Sequence, residues 1–91
     1  MSDDLGRETM QQELMDLGVW LTEHPEAARK NLKPIRGGVL LEPGVYYNIG
    51  TGMVERIHSP QHMALGSRMF RVDSDPAAPV EEIRRKVIEG K

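Results

Sequence analysis

The chain of 91 residues is long enough for one domain, because two hydrophobic cores could not both be filled at this length. It contains no cysteine, which excludes disulfides, thiolate nucleophiles and zinc sites with cysteine ligands. Hydrophobic residues make up 38% and charged residues 29%, a balance typical of a globular chain rather than a disordered one.

The net charge of −2 hides a segregation of charge along the chain. Residues 1–26 carry seven acidic residues and one basic residue, whereas residues 27–72 carry two acidic and seven basic residues. An acidic first segment therefore precedes a basic middle. This segregation is more informative about partners than the net charge, because local charge governs electrostatic contact.

An amphipathic helix is predicted over about residues 4–24, with acids in its first turns, where the helix dipole favours them. Four apolar residues at helical spacing form a stripe for the core: Met10, Leu14, Leu17 and Leu21. Nearly opposite lie Leu5, Met15 and Val19, and Trp20 lies at the edge of the main stripe. These four are either scattered surface residues or a contact for self-association.

Two further helices are predicted. A short one over about residues 25–32 begins at a proline, which is favoured in a first helical turn, and ends before a second proline. Another, over about residues 79–89, has an apolar stripe at helical spacing and stops at Gly90.

Between these helices the hydrophobic period changes from helical spacing to alternation. Strands are predicted over about residues 38–42, 45–49, 53–58 and 67–72. The pattern predicts one domain of the α+β class: an N-terminal helix, a short second helix, an antiparallel β-meander of three to four strands and a C-terminal helix. We expect the helices to cover one face of the sheet.

The segment GVYYNIGTGM, residues 44–53, could form either a phosphate-binding loop or a hairpin. A phosphate loop needs a helix directly after its glycines, whereas the β-prone MVERIH follows here, so a hairpin is predicted. Alternation along the strand places Tyr47 in the core and turns Tyr46 to the other face. Tyr46 is then either exposed for recognition or packed beneath the N-terminal segment.

Three arginines fall on the predicted strands and could share a face with Tyr46. The candidate binding site is Tyr46, Arg56, Arg68 and Arg71. Arginine beside an exposed aromatic ring suits an acidic patch of a partner protein or single-stranded nucleic acid. The sequence lacks a ribonucleoprotein-type aromatic signature and has a pI of 5.9, which favours the protein partner. The alternative is an ordinary solvated sheet face.

The sequence offers no recognisable catalytic or metal-binding motif. No serine lies in a Gly-x-Ser-x-Gly elbow, and Pro60 between His58 and His62 opposes the helix that would place both on one face. We therefore predict neither enzymatic activity nor a cofactor or metal. The polar N-terminus and the lack of a long apolar run predict a cytoplasmic protein without membrane contact.

The predicted function is that of a small adaptor or regulator that binds another protein with an acidic patch. One alternative is a protein that binds single-stranded nucleic acid through the same face. The other is a self-assembling structural subunit, for example of a phage. Such a homo-oligomer would be built on Leu5, Met15, Val19 and Trp20 or on an unpaired strand edge.

Overall fold

The computed structural model of the chain describes residues 2–35, 38, 40–63 and 68–90, and within residues 2–11 it describes the backbone alone. The helices within this part are α1 (Ser2–Glu23), α2 (Pro25–Asn31) and α3 (Val80–Glu89). The strands are β1 (Lys33–Ile35), β2 (Leu40–Leu41), β3 (Gly44–Asn48), β4 (Met53–Ile57), β5 (Gln61–His62) and β6 (Met69–Asp73). The predicted α+β class is confirmed, with three helices and an antiparallel sheet of four strands among the described residues.

The main sheet has the strand order β1-β6-β3-β4, and its neighbouring strands are antiparallel. This order is not that of a meander, because β6 returns between β1 and β3 instead of pairing with β4. The strands β2 and β5 form a separate antiparallel pair. Neither β1 nor β5 is predicted from the sequence, and Val39 and Ser67 of two predicted strands lie outside the described residues.

The predicted hairpin at residues 44–53 is confirmed as β3 and β4, in which Asn48 is the cross-strand partner of Met53. Asn48 closes the turn, because its Oδ1 accepts hydrogen bonds from the N–H groups of Gly50 at 2.8 Å and Thr51 at 3.3 Å. Gly52 has a φ of +70°, which glycine adopts without steric cost. Gly52 therefore serves the backbone geometry of the turn.

One hydrophobic cluster lies between the helices and the sheet. The predicted stripe of α1 is confirmed for Leu14, Leu17 and Leu21, which are buried, whereas the side chain of Met10 lies outside the described residues. Other members of the cluster are Ala28, Leu32, Val45, Tyr47, Val54, Phe70, Val72, Ala78, Ile83 and Val87. This cluster fixes α1 and α3 on the same face of the sheet.

Helix α1 approaches the β3–β4 turn very closely at Gly18. A Cβ atom at this position would lie 2.4 Å from the carbonyl oxygen of Gly52 and 3.2 Å from the Cα of Met53. Real Cβ atoms do not approach backbone this closely, so the docking of α1 on the hairpin requires glycine here.

A second hydrophobic cluster covers the face of the sheet opposite the helices. It consists of Leu41, Tyr46, Ile57, Met63 and Met69, with Ile35 partly buried against it. The strands β2 and β5 and the residues beside them cover this face, so it is not open to solvent as the sequence leads one to expect.

Tyr46 is buried in this second cluster, with 1% of its surface exposed. Its hydroxyl donates a hydrogen bond to the carbonyl oxygen of Glu42 at 2.6 Å. The predicted alternation is confirmed, because Tyr47 belongs to the helix-side cluster and Tyr46 to the opposite one. Of the two alternatives for Tyr46, exposure for recognition is wrong, because Leu41 of β2 and Met63, directly after β5, pack on that face. Packing beneath the N-terminal segment is also wrong, because the described side chains of α1 pack on the opposite face.

The end of β6 is joined to α3 by an ion pair whose carboxylate is buried and whose lysine is partly exposed. Lys86 Nζ donates to Asp73 Oδ2 at 2.8 Å, and the backbone N–H of Asp75 donates to Asp73 Oδ1 at 2.9 Å. Burial acts to raise the pKa of the Asp73 carboxyl, but Lys86 and the backbone donors outweigh it and hold the pKa below its usual value. The ionised carboxylate therefore stabilises the fold.

We expect this carboxylate to make stability depend on acid pH. Its pKa is lower in the folded than in the unfolded protein, so its contribution is present above the unfolded pKa of about 3.9 and is lost as pH falls through the folded pKa. Asp73→Asn should cost about 1–2 kcal/mol at pH 7 and flatten the pH dependence of urea denaturation below about pH 4. Glu89→Gln, an exposed charge change, is the control. If the free energy of unfolding of Asp73→Asn falls with decreasing pH as steeply as that of the wild type, this assignment is wrong.

Candidate functional site

The structure does not bring the four predicted binding residues together on one exposed face. Tyr46 and Arg71 are cross-strand partners on the face opposite the helices. Arg56 is the partner of Val45, so it lies on the helix side of the sheet. Arg68 is exposed and lies directly before β6.

Two of these arginines make contacts within the protein. The Nη1 atom of Arg56 donates to the carbonyl oxygens of Pro76 at 2.7 Å and Ala78 at 2.8 Å. These bonds fix the loop that leads into α3. Arg71 lies 3.8 Å from Glu42, a distance typical of a weak surface ion pair. Binding roles for both arginines stay predictions, but Arg56 has a structural role that the sequence did not indicate.

Arg68 borders a pocket of about 570 Å³ between the α1–α2 corner and the ends of β1, β3 and β6. We call it the arginine pocket. Its lining residues are Leu21, Thr22, Pro25, Ala28, Arg29, Pro34, Ile35, Tyr47, Ile49, Arg68, Met69 and Phe70. Its volume lies in the range of pockets that bind a small ligand.

The floor of the arginine pocket is apolar and firmly held. Tyr47 and Phe70 stack with their ring centroids 6.5 Å apart and expose only 4% and 7% of their surfaces. The Thr22 hydroxyl donates to the carbonyl oxygen of Gly18 at 2.9 Å, so the hydrogen in its 3.1 Å contact with Tyr47 comes from the tyrosine. These contacts fix the tyrosine ring, which leaves a shallow, preformed depression.

The rim of the arginine pocket combines positive charge with an apolar ledge. Arg29 comes from the last turn of α2, and Arg68 lies directly before β6; both are exposed. Ile49 exposes 44% of its surface beside them. Among the described residues, no aspartate or glutamate lines this pocket, and neither arginine has an ion-pair partner there. The pocket therefore favours an occupant that is apolar and negatively charged.

A second, larger concavity lies along the edge strand β4. This groove, of about 840 Å³, runs between α1 and β4 and includes Met15, Met53, Glu55 and Arg56. It carries charges of both signs, and Arg56 is already bonded to loop carbonyls. The groove thus lacks the preference for one sign of charge that distinguishes the arginine pocket.

The predicted oligomer contact is only partly described. Met15 and Val19 are exposed, at 50% and 56% of their surfaces, and the side chain of Leu5 lies outside the described residues. Trp20 is half-buried, packs against the helix-side core and stacks on His24 with ring centroids 4.5 Å apart. Of the four residues, Met15 and Val19 therefore present free apolar surface on α1.

Sequence reasoning missed Arg29, Tyr47 and Ile49 as residues of a shared pocket. Arg29 belongs to the basic middle of the chain, which is a signal for charge but not for location. The sequence correctly predicts Tyr47 in the core, and its small exposed fraction gave no reason to assign it to a pocket. These residues meet because α2 packs against β1, which pairs with β6, a long-range arrangement that local patterns do not specify.

Comparison of the chain with protein-family models, with curated protein sequences and with solved structures finds no match. In the described part of the chain, no helix has the length and apolar character needed to cross a membrane. The function proposed below therefore depends on the residues of this chain alone.

Proposed function

We propose that the protein is a non-enzymatic adaptor or regulator that binds an acidic segment of a partner protein at the arginine pocket. The observation that carries this proposal is the charge of the pocket: two exposed guanidinium groups border an apolar floor, and no carboxylate lines it in the described part of the chain. The proposed partner is the acidic one predicted from the sequence. The proposed binding surface is now this pocket rather than the sheet face that carries Tyr46, because that face is covered. A cytoplasmic location stays a prediction.

The two arginines supply orientation and selectivity. A guanidinium group can donate two parallel hydrogen bonds to one carboxylate, so Arg29 and Arg68 can bind acidic side chains of an approaching segment. Because both groups are exposed before binding, we also expect them to steer acidic segments toward the pocket and to raise the association rate. A basic partner segment would be repelled.

The apolar floor supplies an anchor. Since Tyr47 and Phe70 are already more than nine-tenths buried, the depression offers room for one large side chain rather than full enclosure of a ligand. Interfaces concentrate their binding energy in such central anchors, and Ile49 extends the apolar contact at the rim. The proposed ligand is therefore a segment with one large apolar residue flanked by aspartate or glutamate.

The burial of the aromatic rings makes single-stranded nucleic acid a less suitable occupant. Such proteins stack bases on exposed aromatic faces. Here Tyr46, Tyr47 and Phe70 are buried, and Trp20 is half-buried against His24. The experiment below therefore also tests the binding of a nucleic acid.

The test is a selection from a random peptide library on the immobilised protein, followed by fluorescence anisotropy of the selected peptides. We expect the peptides to share an apolar residue beside one or more acids, and Arg29→Ala/Arg68→Ala to weaken their binding at least about tenfold, or 1.4 kcal/mol. The matched control is Arg84→Ala/Arg85→Ala, which removes the same charge from two exposed arginines of α3.

Two results would overturn the proposal: selected peptides without acids, or an equal loss of binding in the α3 control. A labelled oligonucleotide that binds with a steep salt dependence, while the acidic peptides fail, would instead favour nucleic acid.

A further inference from the structure

The two edges of the main sheet differ in how they are protected. The edge strand β1 has three residues, Lys33–Ile35, and contains both a lysine and a proline, which hinder pairing with another strand. The other edge, β4, has five residues, MVERI, without lysine or proline. Among the described residues, β4 pairs with β3 alone, so its outer hydrogen-bonding groups have no strand partner.

An apolar stripe of α1 lies beside this unprotected edge. Gly18 sits against Gly52 and the start of β4, and Met15, one turn earlier, borders the groove along β4. Val19 lies four residues after Met15, on the same side of the helix. Met53, at the start of β4, is also exposed, at 43% of its surface. The surface thus presents an unpaired strand and an apolar helix side by side.

We infer that a second copy of this chain pairs with β4 and forms a symmetric dimer. The surface requires an occupant that supplies a strand and an apolar helix at matching spacing, and a two-fold related copy supplies both. An isolated peptide strand would pair with β4 but would leave Val19 uncovered. The dimer would join the two sheets into one of eight strands and place the two α1 helices side by side.

The charges on β4 select the register of this dimer. In an antiparallel pair with a two-fold axis perpendicular to the sheet, one residue faces its own copy. If the axis passed through Glu55, the two copies of its carboxylate would face and repel each other. If it passed through Arg56, the two guanidinium groups would do the same. Of the three central positions of β4, only an axis at Val54 avoids both, since Glu55 then faces the Met53 of the second copy.

The first test is the mass in solution by light scattering over a range of concentrations. We expect the wild type to approach twice the chain mass of 10.3 kDa, and Met15→Lys/Val19→Lys to raise the dissociation constant at least about tenfold by bringing like charges together. Ile88→Lys, an exposed apolar residue of α3, is the control and should leave the dimer intact. A monomeric wild type up to about 1 mM, or a dimer unaffected by the two lysines, overturns the inference.

The second test is disulfide cross-linking of variants with one introduced cysteine, which is specific because the chain has no cysteine of its own. In the expected register, Val54→Cys places two Cα atoms about 4.5–5.5 Å apart, within reach of a disulfide. Glu55→Cys is the matched control, because its two copies are offset by about 8 Å, beyond that reach. Mild oxidation should cross-link only the first variant. Cross-linking of the second alone, or of neither, overturns the assigned pairing.

Discussion

Replacing Tyr46 by alanine is expected to lower the free energy of unfolding by about 3–5 kcal/mol. Tyr46 is the largest of the fully buried side chains and contacts the cluster that closes the second face of the sheet. Its loss would leave a cavity and remove the hydrogen-bond donor to the Glu42 carbonyl. For a chain of this size, such a loss is a large part of the total stability. Urea denaturation followed by circular dichroism measures it.

Two control variants separate burial from other effects of the Tyr46 substitution. Tyr46→Phe keeps the ring and loses only the 2.6 Å hydrogen bond to Glu42, so we expect a cost of about 1 kcal/mol. Leu40→Ala truncates a side chain that is 53% exposed and should change stability by less than about 0.5 kcal/mol. If Tyr46→Ala behaves like Leu40→Ala, the second face of the sheet is open, and the exposed-tyrosine interpretation of the sequence is restored.

Replacing Gly18 by valine is expected to cost about 3 kcal/mol, although valine has a higher intrinsic helix propensity than glycine. The added Cβ would lie 2.4 Å from the Gly52 carbonyl oxygen, a backbone atom of the turn that cannot move without disturbing the hairpin. Helix α1 would have to shift away from the sheet and would lose contacts of Leu17 and Leu21. Thermal unfolding and urea denaturation both measure this effect.

The control for Gly18 uses the same helix. Asp16→Val introduces the same side chain at an exposed position of α1. It removes only an exposed hydrogen bond from Gln12 and should change stability by less than about 1 kcal/mol. Gly18→Ala should lie between the two, because its single added carbon still meets the turn, while alanine stabilises the helix by about 1 kcal/mol relative to glycine. A stabilised Gly18→Ala protein would show that α1 is not held against this turn.

Local sequence patterns predicted the helices and the hairpin well. The stripe of Leu14, Leu17 and Leu21 and the alternation of Tyr46 and Tyr47 follow from the periods of the helix and the strand, which depend only on neighbouring residues. The predicted helix boundaries of about 4–24, 25–32 and 79–89 differ from the observed ones by at most two residues. Such differences are usual at helix ends.

The strand order and the covered second face could not be predicted. The pairing of β6 between β1 and β3 joins residues far apart in the chain, and no local signal specifies it. The strands β2 and β5 have two residues each, too few to show a period. Since these two strands help to cover Tyr46, the error about its exposure follows directly from this missing long-range information.

The candidate site was predicted only in part for the same reason. Arg68 was identified from its charge and its place at a strand, and it borders the pocket. Arg29 contributes to the same rim because α2 folds back toward the sheet, and the basic middle segment alone could not distinguish it from Lys30 or Lys33. Arg56 carries the same charge but bonds to loop carbonyls, which only the tertiary structure reveals.

A charge-exchange cycle tests the central claim, that acidic partner segments bind at Arg29 and Arg68. One selected peptide with a single glutamate is titrated by calorimetry against the wild type and against Arg68→Glu, and a peptide with lysine in place of that glutamate is titrated against both proteins. We expect each single change to weaken binding at least about tenfold and the combined change to restore much of it, with a coupling energy of about 1–3 kcal/mol. Losses that simply add, without recovery in the exchanged pair, would contradict the claim that this carboxylate binds at the arginine pocket.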